Sequence, residues 1–220
     1  MAFSKLQGRH FRNPLLSTST LASTSTDELR LSADTGQFLA SNWKLPFRRK
    51  SLEETFTYSM LHFIEGIVTF CRLGDGPVIT GPMSGCYLFA FRQGVHRLVA
   101  HVGSSDNDLA KSAAAKRVWA AHAARDDVTE VLGFNPARDI GAKTLTGFQK
   151  SGLAVDLVGF WDPDGTAYLG ALALGKLKDD PVTLVHVQKA KPRPWDVIKA
   201  EDVGFASGAA ASPTLTSAAE

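Results

Sequence analysis

Residues 80–103 read TGPMSGCYLFAFRQGVHRLVAHVG: two apolar, aromatic-rich arms separated by Gln93-Gly94. Arms of this kind around a short glycine-containing loop predict a β-hairpin. Paired positions in an antiparallel hairpin have a constant sum. With Gln93 and Gly94 as the loop, Arg92 faces Val95, and Cys86 falls opposite His101. Directly opposed residues have Cβ atoms about 4.5–5.5 Å apart. The pattern therefore predicts a thiol beside an imidazole, a pair that serves nucleophilic catalysis. A different loop length would shift this register. The plainer reading keeps Cys86 as a core residue with His101 as its cross-strand neighbour.

The rest of the chain narrows the alternatives. With 220 residues and an ordinary apolar fraction, the chain suits one sizeable domain. Lys and Arg number 24 against 22 Asp and Glu, so no basic field points to nucleic acid or an anionic membrane. No apolar run reaches the roughly 20 residues that span a bilayer, which predicts a soluble protein. Cys71 and Cys86 form no CxxC or zinc-type spacing. Neither a metal nor an organic cofactor is expected. Cys71 follows Phe70 in an apolar run and reads as a buried structural thiol.

Residues 1–26 contain the Ser/Thr-rich run LSTSTLASTST and read as a mobile leader. That leader is either a frayed terminus or a secretion or targeting segment. Residues 27–203 are expected to form a single catalytic domain and 204–220 a disordered tail. LRLSADTGQFLA suggests short extended pieces around a glycine turn. Arg48, Arg49 and Lys50 make a basic cluster, either a solvated loop or a docking patch for an acidic surface. Strands are expected near 54–60, 64–72, 78–80, 128–134 and 181–188, with a helix over 52–65 as the alternative for the first stretch. A second hairpin should turn at Asp162-Pro163-Asp164-Gly165. The alanine-rich segment after Ser104 predicts a long helix capped by Ser105 or Asp106, with Leu109, Ala113, Val118 and Ala121 inward. His122 in its last turn suits the helix dipole as a cation. Residues 137–151 read as a loop with one helical turn, and WDVIKAEDV as a short terminal helix or turn. No internal repeat is present. The class is α+β, with largely antiparallel sheets.

Around the cysteine, Ser84 and Gly85 form a nucleophile turn after Pro82. Glycine there lets a substrate carbonyl approach, and the Cys86 N–H can hold an oxyanion. A third group must orient the imidazole; Thr80, a backbone carbonyl and Asp106 are the candidates. Among other histidines, His186 is a reserve partner on its strand, His96 belongs to the exposed loop, and His62 and His10 have no supporting neighbours.

Met83-Ser84-Gly85-Cys86, followed by a hairpin ending in His101-Val102-Gly103, resembles the catalytic segment of the bacterial toxin glutamine deamidases. That family includes the cytotoxic necrotizing factor catalytic domain and the Burkholderia lethal factor. Its signature is a Leu-Ser-Gly-Cys turn with a histidine on a following strand, and in some members a threonine shortly before the cysteine. The resemblance implies Cys86 as nucleophile, His101 as base and Thr80 as orienting group. Met83 replaces the usual leucine, a volume-conserving change. The likeness runs over residues 80–103 alone.

The resemblance further implies a β-sandwich of mixed sheets flanked by helices. Its activity would be deamidation of a glutamine on a target protein, as a toxin or effector delivered into a target cell. An amine in place of water would give transglutamination. The expected partner is a protein substrate carrying a reactive glutamine, and the expected state is a monomer. A cysteine peptidase or other amidohydrolase could use the same dyad, and a non-catalytic protein-binding module is the reading from a different class.

Overall fold

The structure is a computed structural model that describes residues 7, 10–11, 29–31, 33–40, 54–105, 107–173 and 182–205. Most of the leader, the Arg48-Arg49-Lys50 cluster, Asp106 and residues 206–220 lie outside the described residues. In chain order the strands are β1 (His10–Phe11), β2 (Leu29–Leu31), β3 (Ala33–Ala40), β4 (Glu54–His62), β5 (Val68–Arg72), β6 (Val78–Gly81) and β7 (Tyr87–Gln93). They continue with β8 (His96–Val102), β9 (Val128–Phe134), β10 (Val155–Trp161), β11 (Ala167–Ala173), β12 (Val182–Lys189) and β13 (Arg193–Pro194). The helices are α1 (Leu109–Ala123), α2 (Pro136–Asp139), α3 (Ala142–Lys150) and α4 (Trp195–Glu201), with a 3-10 turn at Val203–Phe205.

These strands form a seven-stranded sheet, β1-β12-β11-β10-β6-β4-β3, and a six-stranded sheet, β13-β9-β7-β8-β5-β2. Among the described residues only β4 with β6 and β2 with β5 run parallel, and the other pairs are antiparallel. The result is a mixed α/β single domain with two sheets flanked by helices.

The unbroken apolar character of the central hairpin has a direct cause: both its faces are buried. Tyr87, Phe89 and Phe91, with Leu98, Ala100 and Val102, pack against Val118 and Trp119 of α1 and Trp195 and Ile198 of α4. The Phe89 and Trp119 rings stack with centroids 4.5 Å apart. On the opposite face, Leu88 and Val99 share an apolar layer with Leu61 of β4, Val78 of β6, and Leu157 and Trp161 of β10. That layer joins the two sheets. The alternation along β6 then places Thr80 on the same face as Val78, toward the six-stranded sheet.

Several expectations change. The second hairpin forms at Asp162–Gly165, where Asp162 N donates to Thr166 O at 2.8 Å. Gly36 is no turn: it pairs with Tyr58 inside the β3–β4 ladder. The strand expected from 64 begins at Val68, because the chain first turns at Gly66, φ +74°. Residues 137–151 form most of two helices, α2 and α3. Asn135 caps α2, its side chain accepting from Arg138 N at 3.0 Å.

Asp108 caps α1, its carboxylate accepting from Ala110 N and Lys111 N at 3.0 Å. Ser105 instead orders the turn ahead of the cap by accepting from Asp108 N at 2.9 Å. The buried face of α1 is Ala114, Ala115, Val118, Trp119, His122 and Ala123, and Leu109 is 82% exposed. The large indole fixes the rotation, since burying it outweighs burying one leucine at the frayed first turn. His122 turns inward against Phe70, Phe91 and Trp119. Burial, with Arg125 nearby, pushes its pKa down to about 4, so it is no dipole-matched cation. Gly204 and Phe205, expected in the tail, belong to the 3-10 turn, and Phe205 is buried beside Tyr87 and Trp195.

Candidate active site

The loop between β7 and β8 is Gly94-Val95, one residue later than expected, with Gln93 opposite His96. Gly94 takes φ +56°, the left-handed conformation that a two-residue hairpin loop demands and glycine accepts most readily. Gln93 is thereby kept in the ladder, its side chain donating to Asp127 at 3.0 Å. Leu88, not Cys86, is consequently the direct partner of His101. Because the partner moves by two positions, the face is preserved. Cys86 takes the diagonal place beside His101, a relation in which Cβ atoms stand about 7–8 Å apart.

His101 reaches across the layer between the sheets. Thr80 Oγ1 and His101 Nδ1 lie 2.5 Å apart, and both residues are fully buried. The Phe63 ring packs on the imidazole with centroids 5.3 Å apart. Burial alone pushes the His101 pKa down to about 3, so the ring is neutral at physiological pH. His101 Nε2 is buried with no hydrogen-bond partner among the described residues. If Nδ1–H donates to Thr80 Oγ1, the Nε2 lone pair is left to take a proton. An unpartnered buried ring nitrogen is no unique mark here, since His122 has two, between the rings of Phe70 and Phe91.

Cys86 ends the turn that enters β7 and is 1% exposed. The turn begins at a cis Gly81-Pro82 bond and is pinned by Met83 N donating to Leu157 O at 2.9 Å. Ser104, just beyond β8, places both its backbone N–H and its Oγ 3.3 Å from the Cys86 sulfur. Asn135 Nδ2 donates to the Gly85 carbonyl at 3.2 Å. A Cβ at Gly85 would stand 3.1 Å from Ser104 Oγ, tighter than an ordinary contact, so the glycine makes room for this serine. Ser84 and Ser104 line a cleft of about 630 Å³, whose walls include Phe63, Phe148, Glu65 and Asp156. Neither Cys86 nor His101 lines it. The sulfur is buried, and Ser104, whose Oγ is 3.3 Å from it, lines the cleft.

Thr80, Cys86 and His101 are thus brought to one buried layer, with Ser84 and Gly85 in the turn between them. Asp106 lies outside the described residues. His186 is half-buried on β12, three strands along from β6, with its Nε2 3.0 Å from Gln188 Oε1. His96 is exposed at the hairpin tip, His62 is buried on β4, and the His10 side chain lies outside the described residues. Cys71 is buried on β5, where burial pushes its thiol up to about 12. Among the described residues no group of three or more His, Cys, Asp and Glu could hold a metal ion, and no helix is long and apolar enough to cross a membrane.

Sequence reasoning missed Phe63, Ser104 and Asn135. A register with Gly94 first in the loop would have exposed Ser104, because it places residue 104 beside residue 85. Phe63 and Asn135 reach the site through sheet pairing and carried no local signal.

No family model matches this chain, no curated protein matches it, and no solved structure matches it. The likeness to the toxin glutamine deamidases therefore rests on the residues between Thr80 and Gly103.

Proposed function

We propose that this protein is a protein-glutamine deamidase in which Cys86 is the nucleophile, His101 the general base and acid, and Thr80 the group that orients the imidazole. The observation that carries this reading is the Thr80–His101 contact of 2.5 Å, made between the two sheets on the layer that also holds Cys86. A hydroxyl that fixes one ring nitrogen leaves the other to exchange protons with the thiol.

In the proposed reaction the Cys86 thiol passes its proton to His101 Nε2, and the sulfur attacks the carboxamide carbon of a glutamine side chain. The oxyanion is held by the Cys86 N–H. Collapse breaks the C–N bond, and the departing nitrogen takes the proton from His101 and leaves as ammonia. Water, deprotonated by His101, then attacks the thioester, releasing glutamate and restoring the thiol. A primary amine in place of water gives transglutamination. No step calls on a metal or an organic cofactor. The reading carries with it a monomeric toxin-like effector delivered to a target cell, and a sandwich arrangement of the two sheets. Because Cys86 is 1% exposed, the turn at Ser84 and Ser104 must yield for a side chain to reach the sulfur.

The test is the intact mass of candidate target proteins after incubation. Deamidation adds about 1 Da per glutamine as a carboxamide becomes a carboxylate, whereas fragments would indicate a peptidase. No mass change on any target would favour a binding module, the reading that the burial of Cys86 supports. Activity that survives Cys86→Ser unchanged would overturn the assignment.

A further inference from the structure

We infer that Ser104 is a positioning residue that holds the Cys86 sulfur toward the cleft and stabilises it as a thiolate. The inference rests on reading Cys86 as the reacting thiol. Ser104 presents two donors to the same sulfur, the backbone N–H and the hydroxyl, each at 3.3 Å, while its carbonyl oxygen stands farther off at 4.0 Å, where the neutral thiol can donate to it. The N–H can only donate, so its lone-pair partner is the sulfur. A hydroxyl rotates freely and donates where negative charge develops. Two donors on one sulfur favour the anion over the neutral thiol. The donors act against burial, which in the same apolar layer pushes the Cys71 thiol up to about 12.

The fold holds Ser104 in place independently of the cysteine. Gly103 N donates to Ile67 O at 2.9 Å and Gly66 N donates to Gly103 O at 3.1 Å, so the backbone just before Ser104 is pinned on both sides. Just after it, Ser105 N donates to Ser112 Oγ at 2.7 Å, and Ser112 Oγ reaches Ser105 O at 2.9 Å. Ser105 Oγ also donates to Glu65 Oε1. Asn135 does the same for the other half of the contact by holding the Gly85 carbonyl. Ser104 lines the cleft where the sulfur does not. Its side chain steers the sulfur through the hydroxyl contact.

The experiment follows alkylation of Cys86 and Cys71 by iodoacetamide across pH in the full chain, each site read by peptide mass, for the wild type, Ser104→Ala and Ser104→Thr. In the wild type Cys86 reacts near neutral pH and Cys71 does not. Ser104→Ala moves the Cys86 profile to higher pH and slows its alkylation at pH 7 about tenfold, the low end for a hydrogen bond to a charged group. Cys71 stays slow, which reports an intact fold. Ser104→Thr keeps the hydroxyl and restores the wild-type profile. An unchanged Cys86 profile in Ser104→Ala, or a Ser104→Thr profile that matches it, overturns the role of Ser104 alone. A wild-type Cys86 as slow as Cys71 overturns the reactive-thiol reading and this inference together.

Discussion

Thr80 and His101 belong to different sheets, and their side chains meet at 2.5 Å through Oγ1 and Nδ1. This contact joins β6, in the middle of one sheet, to β8, in the middle of the other. It is both a structural tie and the feature that gives the imidazole a direction.

Thr80→Val keeps the shape and removes the hydroxyl, leaving His101 Nδ1 buried without its partner. The expected cost is about 1–3 kcal/mol of stability, read by urea denaturation, together with slower alkylation of Cys86. Thr80→Ser retains the oxygen and should lose less of both. Equal stability of Thr80→Val and wild type would mean that the contact contributes nothing.

In the proposed mechanism His101→Ala removes the proton acceptor. Deamidase activity should fall by at least about 100-fold, the usual share of a general base. The same change in His186, three strands away, should leave activity within about twofold, because no part of the proposed proton path includes it. A target assay comparing the two variants distinguishes them.

Stability should decline on mild acidification. His101 and His122 have folded values of about 3 and 4 against an ordinary 6.5, so between pH 6.5 and 4 the unfolded chain binds two protons that the native state refuses. Asp162 acts in the opposite sense: burial raises its carboxyl to about 6 from 3.8, so the native state gains one proton over much of the same window. The net is about one proton in favour of the unfolded chain, a loss near 1.4 kcal/mol per pH unit. Urea midpoints at pH 7 and pH 5 measure it. His122→Leu should flatten the slope, and a midpoint that rises at pH 5 would contradict the assignment.

Gly103→Ala should be severe although the position is not in a turn. An added Cβ would collide with the Ile64 carbonyl oxygen and stand 2.9 Å from the Ile67 carbonyl oxygen. Backbone must move to admit it, displacing His101 on one side and Ser104 on the other. A loss of about 1–3 kcal/mol, typical of overpacking, should accompany slowed Cys86 alkylation. Gly74→Ala meets no atom within 4 Å and serves as the control.

Trp119→Ala tests what holds α1 to the central hairpin. The indole is fully buried and stacked on Phe89. A cost of about 3–5 kcal/mol is expected for removing a large core aromatic. Loss of the calorimetric transition, or a large fall in its midpoint, would agree, and an unchanged midpoint would place the anchor elsewhere.

The two hairpins, the long helix and most strands were legible locally, because alternation, turn residues and alanine content act over a few neighbours. The sequence by itself also put Cys86 and His101 on one face, since a strand's period of two survives a register error of two. It could not choose between a loop of Gln93-Gly94 and one of Gly94-Val95. That choice depends on where the positive φ falls and on Gln93 binding Asp127, which lies at the start of another strand's approach. Thr80 could be named only as an orienting candidate. Its meeting with His101 depends on which side chains the two sheets bring together, a matter of packing the layer of Leu61, Val78, Leu88 and Trp161. Ser104 comes to the cysteine turn through the β7–β8 register, and Asn135 through the pairing of β9 with β7. Local periodicity fixes which way a side chain faces, and only the packing of the two sheets decides what it meets there.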